Sequence, residues 1–148
     1  MKKADWQYLI AQGNQHFDEQ QLFHAEDCYL GAYDLLLKIN LEQELNVHYL
    51  LGWVSVCHNL ATVYEWLGEN RNALRYLMTP YSHLLDLTQE QSIDSEIEDI
   101  VFRSMNLVLA PILLFAQRHN ICEDCCKEFP LLDQLLKKQY QTHFKENY

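Results

Sequence analysis

Apolar residues recur along this chain at spacings of three and four, the mark of helices that each bury one face. Trp6, Leu9, Ile10, Gly13 and Phe17 share one side of a helix predicted over about 4–19. Phe23, Ala25, Tyr29, Ala32, Tyr33, Leu36 and Leu37 do the same over about 22–38. A third helix is predicted over about 42–67 and ends at Gly68, since glycine suits the left-handed residue that closes a helix. The fourth, about 70–87, contains Pro80, which removes a backbone hydrogen bond and is expected to kink or shorten it. The fifth, about 92–118, opens on Ser95-Glu96-Ile97-Glu98, a capping-box pattern. Acids at Asp94, Glu96, Glu98 and Asp99 match the positive end of its dipole, and Pro111 is expected to bend it near residue 107. The sixth, about 129–145, has Pro130 in its first turn. With only 4 Gly and 3 Pro, too few for the turns of a β-sandwich, the expected fold class is all-α, in one domain spanning 1–148.

The helices carry a repeated pattern of small residues. Gly13 is followed by Ala25 twelve residues on and Tyr29 four later; Ala61 is followed by Ala73 and Leu77 at the same spacings. Small side chains let antiparallel helices approach closely, while the large one fills the space between hairpins.

These residues resemble the tetratricopeptide repeat (TPR) family, over roughly 6–40 and 53–88. Gly13, Phe17, Ala25, Tyr29 and Ala32 match the first unit; Ala61, Tyr64, Ala73 and Leu77 match the second, with Gly68 at the turn and Pro80 in place of an expected Ala. The resemblance implies a TPR-like α-α superhelix of three hairpins, about 4–40, 42–88 and 92–146, as in small bacterial-type members. Ala25 and Ala73 are 48 residues apart, 14 more than the family's 34-residue unit, so Asn40 to Trp53 is expected to lengthen the helical arms. Asn106-Leu107, 47 residues after Asn59-Leu60, suggests a third, degenerate hairpin.

In the family, ligands lie on a concave surface built by the first helix of each hairpin. By register this places Gln7, Ile10, Asn14, His58, Asn59, Thr62, Glu65 and Trp66 near a partner groove. Asn14 and Asn59 fall on two positions of the family's carboxylate clamp, but Ile10 replaces its Lys and only Arg103 lies near the third hairpin. Without those cations a carboxylate is not neutralised, and the clamp is rejected. The Asn side chains remain suited to the backbone of a bound peptide.

Charge narrows the partner. The chain has 11 Lys and Arg against 21 Asp and Glu, a net charge of −10, and no basic stripe to meet phosphates. Nucleic acid and anionic membranes are disfavoured, and a neutral or basic protein or peptide is expected. No continuous apolar run reaches the roughly 18 residues of a spanning helix, the most apolar stretch being Leu107 to Ala116, so a cytoplasmic location is expected.

Chemical motifs are sparse. Five Cys, at 28, 57, 122, 125 and 126, are an odd count and read as free thiols. His119, Cys122, Cys125 and Cys126 form the sharpest cluster, a Cys-x-x-Cys that suits one knuckle of a zinc site, with Cys28, Cys57 and His143 as distant further ligands. No second Cys-x-x-Cys accompanies it, and Glu123 and Asp124 are expected to raise the thiol pKa, so inert thiols and no cofactor are expected. No phosphate loop, nucleophile elbow or His-Glu-x-x-His occurs. The expected function is a non-catalytic adaptor or chaperone-like module, of the kind found among small acidic secretion chaperones. The alternatives are a metal- or redox-responsive protein using the His119–Cys126 cluster, and a self-associating subunit, a homodimer included.

Overall fold

The computed structural model describes the backbone of residues 5–42, 45–90 and 95–146, and side chains as far as residue 139. Among these residues there are seven helices and no strand: α1 (Asp5–Asp18), α2 (Leu22–Glu42), α3 (Val47–Trp66), α4 (Asn70–Thr88), α5 (Ser95–Arg118), α6 (Glu123–Glu128) and α7 (Pro130–Glu146). Asp94, expected at the start of the fifth helix, lies outside the described residues.

Helices α1 to α5 pack in chain order, each against the next: α1 on α2, α2 on α3, α3 on α4 and α4 on α5, with α5 also reaching α3. One apolar core runs through them, from Trp6 and Tyr29 through Leu36, Leu60 and Leu74 to Val108, Ile112 and Phe115. The spacing that predicted close crossings has a direct counterpart. A Cβ added at Gly13 would stand 2.5 Å from Cε1 of Tyr29, so only glycine lets α1 come this near α2. Ala25, Ala32, Ala61 and Ala73 are all buried where these helices meet.

The turns of the first two hairpins are built alike, 48 positions apart. After α3, Gly68 takes a φ of +78°, the Gly68 amide donates to Glu65 O and the Glu69 amide to Tyr64 O. After α1, Gln20 takes a φ of 61°, its amide donates to Phe17 O and that of Gln21 to His16 O. Both are Schellman endings, in which the left-handed residue turns the chain while two amides satisfy the last carbonyls. The next helix then starts identically, Ala25 N to Gln21 O at 2.9 Å and Ala73 N to Glu69 O at 3.0 Å.

Several expectations are corrected. Pro80 neither ends nor shortens its helix: α4 runs to Thr88 with Pro80 buried, and the Thr79 hydroxyl donates to Arg75 O at 2.7 Å in the turn that precedes it. The extra residues after Asn40 lengthen α2 to Glu42, but α3 starts only at Val47, where the Asn46 side chain accepts from the His48 amide at 2.9 Å. The Asn59–Asn106 register fails, since Leu60 is fully buried whereas Leu107 is 59% exposed; α5 is rotated to bury Val101, Ser104, Val108, Ile112 and Phe115 instead. The last predicted helix, about 129–145, matches α7, but the short α6 that precedes it has no counterpart in the predicted elements, and α7 makes its principal contacts with α6 and α4. Finally, α5 is long and apolar enough to cross a membrane by length and composition, which counting uninterrupted apolar residues had not shown. Here its apolar side is spent in part on α3 and α4.

Candidate functional site

Two recesses adjoin where α1 and α3 lie near each other. The first, about 310 Å³, is lined by Asn14, Phe17, Asp18, Tyr29, Asn59 and Thr62. The second, about 470 Å³, shares Phe17 and Asp18 and adds Gln20, Leu22 and Trp66. The Trp66 indole is 71% exposed and meets the Phe17 ring edge-on, centroids 6.1 Å apart. Its position follows from the sequence locally: Leu67 and Gly68 turn the chain away directly after it, leaving it at the open end of α3.

The polar side of the first recess is set by burial. Tyr29 is buried on α2, and its hydroxyl donates to Asn14 Oδ1 at 2.6 Å. Burial, with Asp18 and Cys28 nearby, pushes the phenol up to about 12, so it stays a donor at any physiological pH. The bond commits the Asn14 amide oxygen and leaves its NH₂ end as a donor for something else. The Thr62 hydroxyl donates back to His58 O at 3.0 Å. The recess thus offers amides beside an aromatic wall and one carboxylate, and it holds no nucleophile with an adjacent base.

Of the residues expected in the groove, Asn14, Asn59, Thr62 and Trp66 are brought together. Gln7 is exposed farther along α1, and Ile10 packs against the core. His58 is withdrawn: its Nε2 is enclosed without a hydrogen-bond partner, and burial pulls the imidazole below its ordinary value, so it is neutral. Glu65 is engaged elsewhere. Arg118 grips it as a fork, Nε to Oε1 at 2.7 Å and Nη2 to Oε2 at 2.9 Å, and His119 Nε2 stands 2.9 Å from Oε1. These bonds, that of Arg118 foremost, hold the Glu65 carboxyl below the usual carboxylate range. The clasp ties α3 to the end of α5. Phe17 and Tyr29, expected only as packing residues, also line the recess, and Asp18 escaped notice because a lone acid at a helix end carries no sequence signal.

A separate hollow lies between α2 and α4. It comprises a cavity of about 470 Å³, among whose walls are Tyr33, Trp53, Arg75, Met78, His83 and Phe129, and an adjoining one of about 280 Å³ bounded by Leu37, Leu41 and Leu87. The chain's own Glu128, Phe129, Pro130 and Leu131 close one side, with Glu128 paired to Arg71 at 2.9 Å and Arg75 at 3.3 Å.

The metal reading of the His119–Cys126 cluster gains nothing from the geometry. His119 Nε2 faces Glu65 and Nδ1 lies 3.5 Å from Asn70 Nδ2, so both ring nitrogens point at other partners. Among the described residues no three His, Cys, Asp or Glu side chains converge as metal ligands. The side chain of His143 lies outside the described residues. The expectation of uniformly raised thiols is also corrected. Cys122 precedes α6 as its N-cap, and the neighbouring backbone and thiol of Cys125, with the backbone of Asp124, hold its pKa below the ordinary value, against desolvation and the charge of Asp124.

The described residues define an all-helical protein with an open aromatic-and-amide recess beside α1 and α3. Residues 4–147 match DUF2753, a family described as proteins of unknown function, and the chain belongs to that family. No curated protein and no solved structure matches it.

Proposed function

We propose that this protein is a non-catalytic, TPR-like interaction module of the cytoplasm that holds a peptide or helix of a partner protein against α1 and α3. The observation that carries the reading is the exposed Trp66 indole beside Phe17, opening onto the amide-lined recess of Asn14 and Asn59. Large aromatics that combine exposure in the free protein with a neighbouring pocket are the side chains that dominate binding energy at interfaces. Asp18 in both recesses, and the net charge of −10, favour a neutral or basic segment. The repeated hairpin turns, 48 residues apart, support a TPR-like arrangement with lengthened arms.

Panning a displayed random-peptide library against the full chain tests this. Enriched peptides should carry apolar and basic residues and lose at least tenfold in affinity on Trp66→Ala or Asn59→Ala, the loss of about 1.4 kcal/mol or more expected of an interface anchor. Peptides indifferent to both substitutions would remove the α1/α3 recess as the site.

A second reading, association of two copies, is favoured by a different observation. On α5, Leu107 and Leu114 lie two turns apart and both face solvent, as does Phe102 nearer the helix start. Sedimentation velocity separates the readings: a dimer abolished by Leu107→Glu supports self-association, and a monomer at high concentration excludes a stable one.

A further inference from the structure

Cys122 and Cys125 are placed for a chemistry the peptide-binding reading does not use. Their Sγ atoms are 3.3 Å apart, and a disulfide requires about 2.0 Å, a closure within reach of side-chain rotation. The two thiols are not equivalent. Cys122 is exposed at the start of α6, whereas Cys125 is half-buried and lies by Arg71. Cys126, the third thiol, is directed toward Asp133 on α7 and is raised by burial first and then by that carboxylate.

We propose that Cys122 and Cys125 form a reversible dithiol–disulfide site, with Cys122 as the attacking thiol, Cys125 as the resolving thiol and small-molecule disulfides as the co-reactant. The Cys122 thiolate attacks one sulfur of the small disulfide; a mixed disulfide forms and one small thiolate leaves. Cys125 then loses its proton, attacks Cys122 Sγ and releases the second small thiolate. Two electrons pass from the cysteine pair to the small disulfide, and the two protons lost by the cysteines are taken up, through solvent, by the two leaving thiolates. The bond would cross-link the first turn of α6, the segment that joins α5 to α7 and whose Glu128 holds Arg71 and Arg75 of α4.

The test uses the reduced full-length protein and oxidised glutathione, followed by intact mass and peptide mapping. The expected product has lost two hydrogens and contains a Cys122–Cys125 link. Cys125→Ser should instead accumulate a glutathione adduct on Cys122, because no resolving thiol remains. Cys122→Ser should give neither link nor fast adduct, and Cys126→Ser should still form the link. Serine is nearly isosteric at these exposed and half-exposed positions, and alkylation of the unsubstituted chain adds a check free of mutation, with Cys122 reacting faster than Cys125, Cys126, Cys28 and Cys57. Equal labelling of the four non-core thiols, a link through Cys126, or no adduct on Cys122 in Cys125→Ser would overturn the proposal. None of these results depends on peptide binding, so the two readings stand or fall separately.

Discussion

Gly13 and Gln20 show how single residues set the geometry of the first hairpin. Gly13→Ala would drive a methyl group into the Tyr29 ring, which is buried and anchored through its hydroxyl to Asn14. Overpacking of this kind costs about 1–3 kcal/mol, to be read as a lowered urea midpoint. Gln20 holds a left-handed conformation that costs a non-glycine residue roughly 1 kcal/mol. Gln20→Gly is therefore expected to raise stability by a few tenths to about 1 kcal/mol, while Gly68→Ala, at the equivalent turn, lowers it by about 1 kcal/mol. Calorimetry on the pair checks both signs. The difference between these turns also marks a limit of sequence reading. Gly68 announces its turn because glycine is the residue that favours it; Gln20 makes the same turn with a side chain that signals nothing. Similarly, repeat register puts Asn59 and Trp66 on the side of α3 where the two recesses lie, whereas the partners of Glu65 lie 53 and 54 residues away in sequence and no local pattern links them.

At the scale of elements, the Glu65 clasp and the α6 connector decide how the last third of the chain sits on the first two hairpins. Glu65→Gln weakens a partly buried, forked carboxylate–guanidinium pair and should cost about 1 kcal/mol. Because the folded-state carboxyl is held below its unfolded value, its contribution is complete above the ordinary carboxylate range and is lost as pH falls through the folded value. The stability gap between the native protein and Glu65→Gln should therefore be widest near neutrality and shrink below about pH 4, as denaturant titrations at several pH values would show. Helices α1 to α5 were legible because their apolar periodicity is sustained over several turns. Helix α6 was not, since Glu-Asp-Cys-Cys-Lys-Glu is one short turn pair with no apolar stripe. That omission also hid the position of Cys122 at its start, and with it the inequality of the two thiols.

Across the whole molecule, the −10 charge and the accessible recess act together on association. If the bound segment is basic, raising salt from 50 to 500 mM should weaken binding mainly by slowing encounter, while Trp66→Ala should mainly speed dissociation; stopped-flow kinetics separate the two effects. The all-helical class was legible from composition and periodicity because few residues in the chain favour turns. The packing of α7 was not, since its contacts with α4 join residues far apart in sequence and no local pattern names that neighbour.

The exposure of Trp66 has a practical consequence. The other two tryptophans, Trp6 and Trp53, are 6% and 5% exposed, so a water-soluble quencher such as iodide reaches one indole far more readily than the rest. Intrinsic fluorescence thereby becomes a label-free occupancy gauge: a ligand seated on α1 and α3 would shield the quenchable fraction of the emission and leave the remainder unchanged.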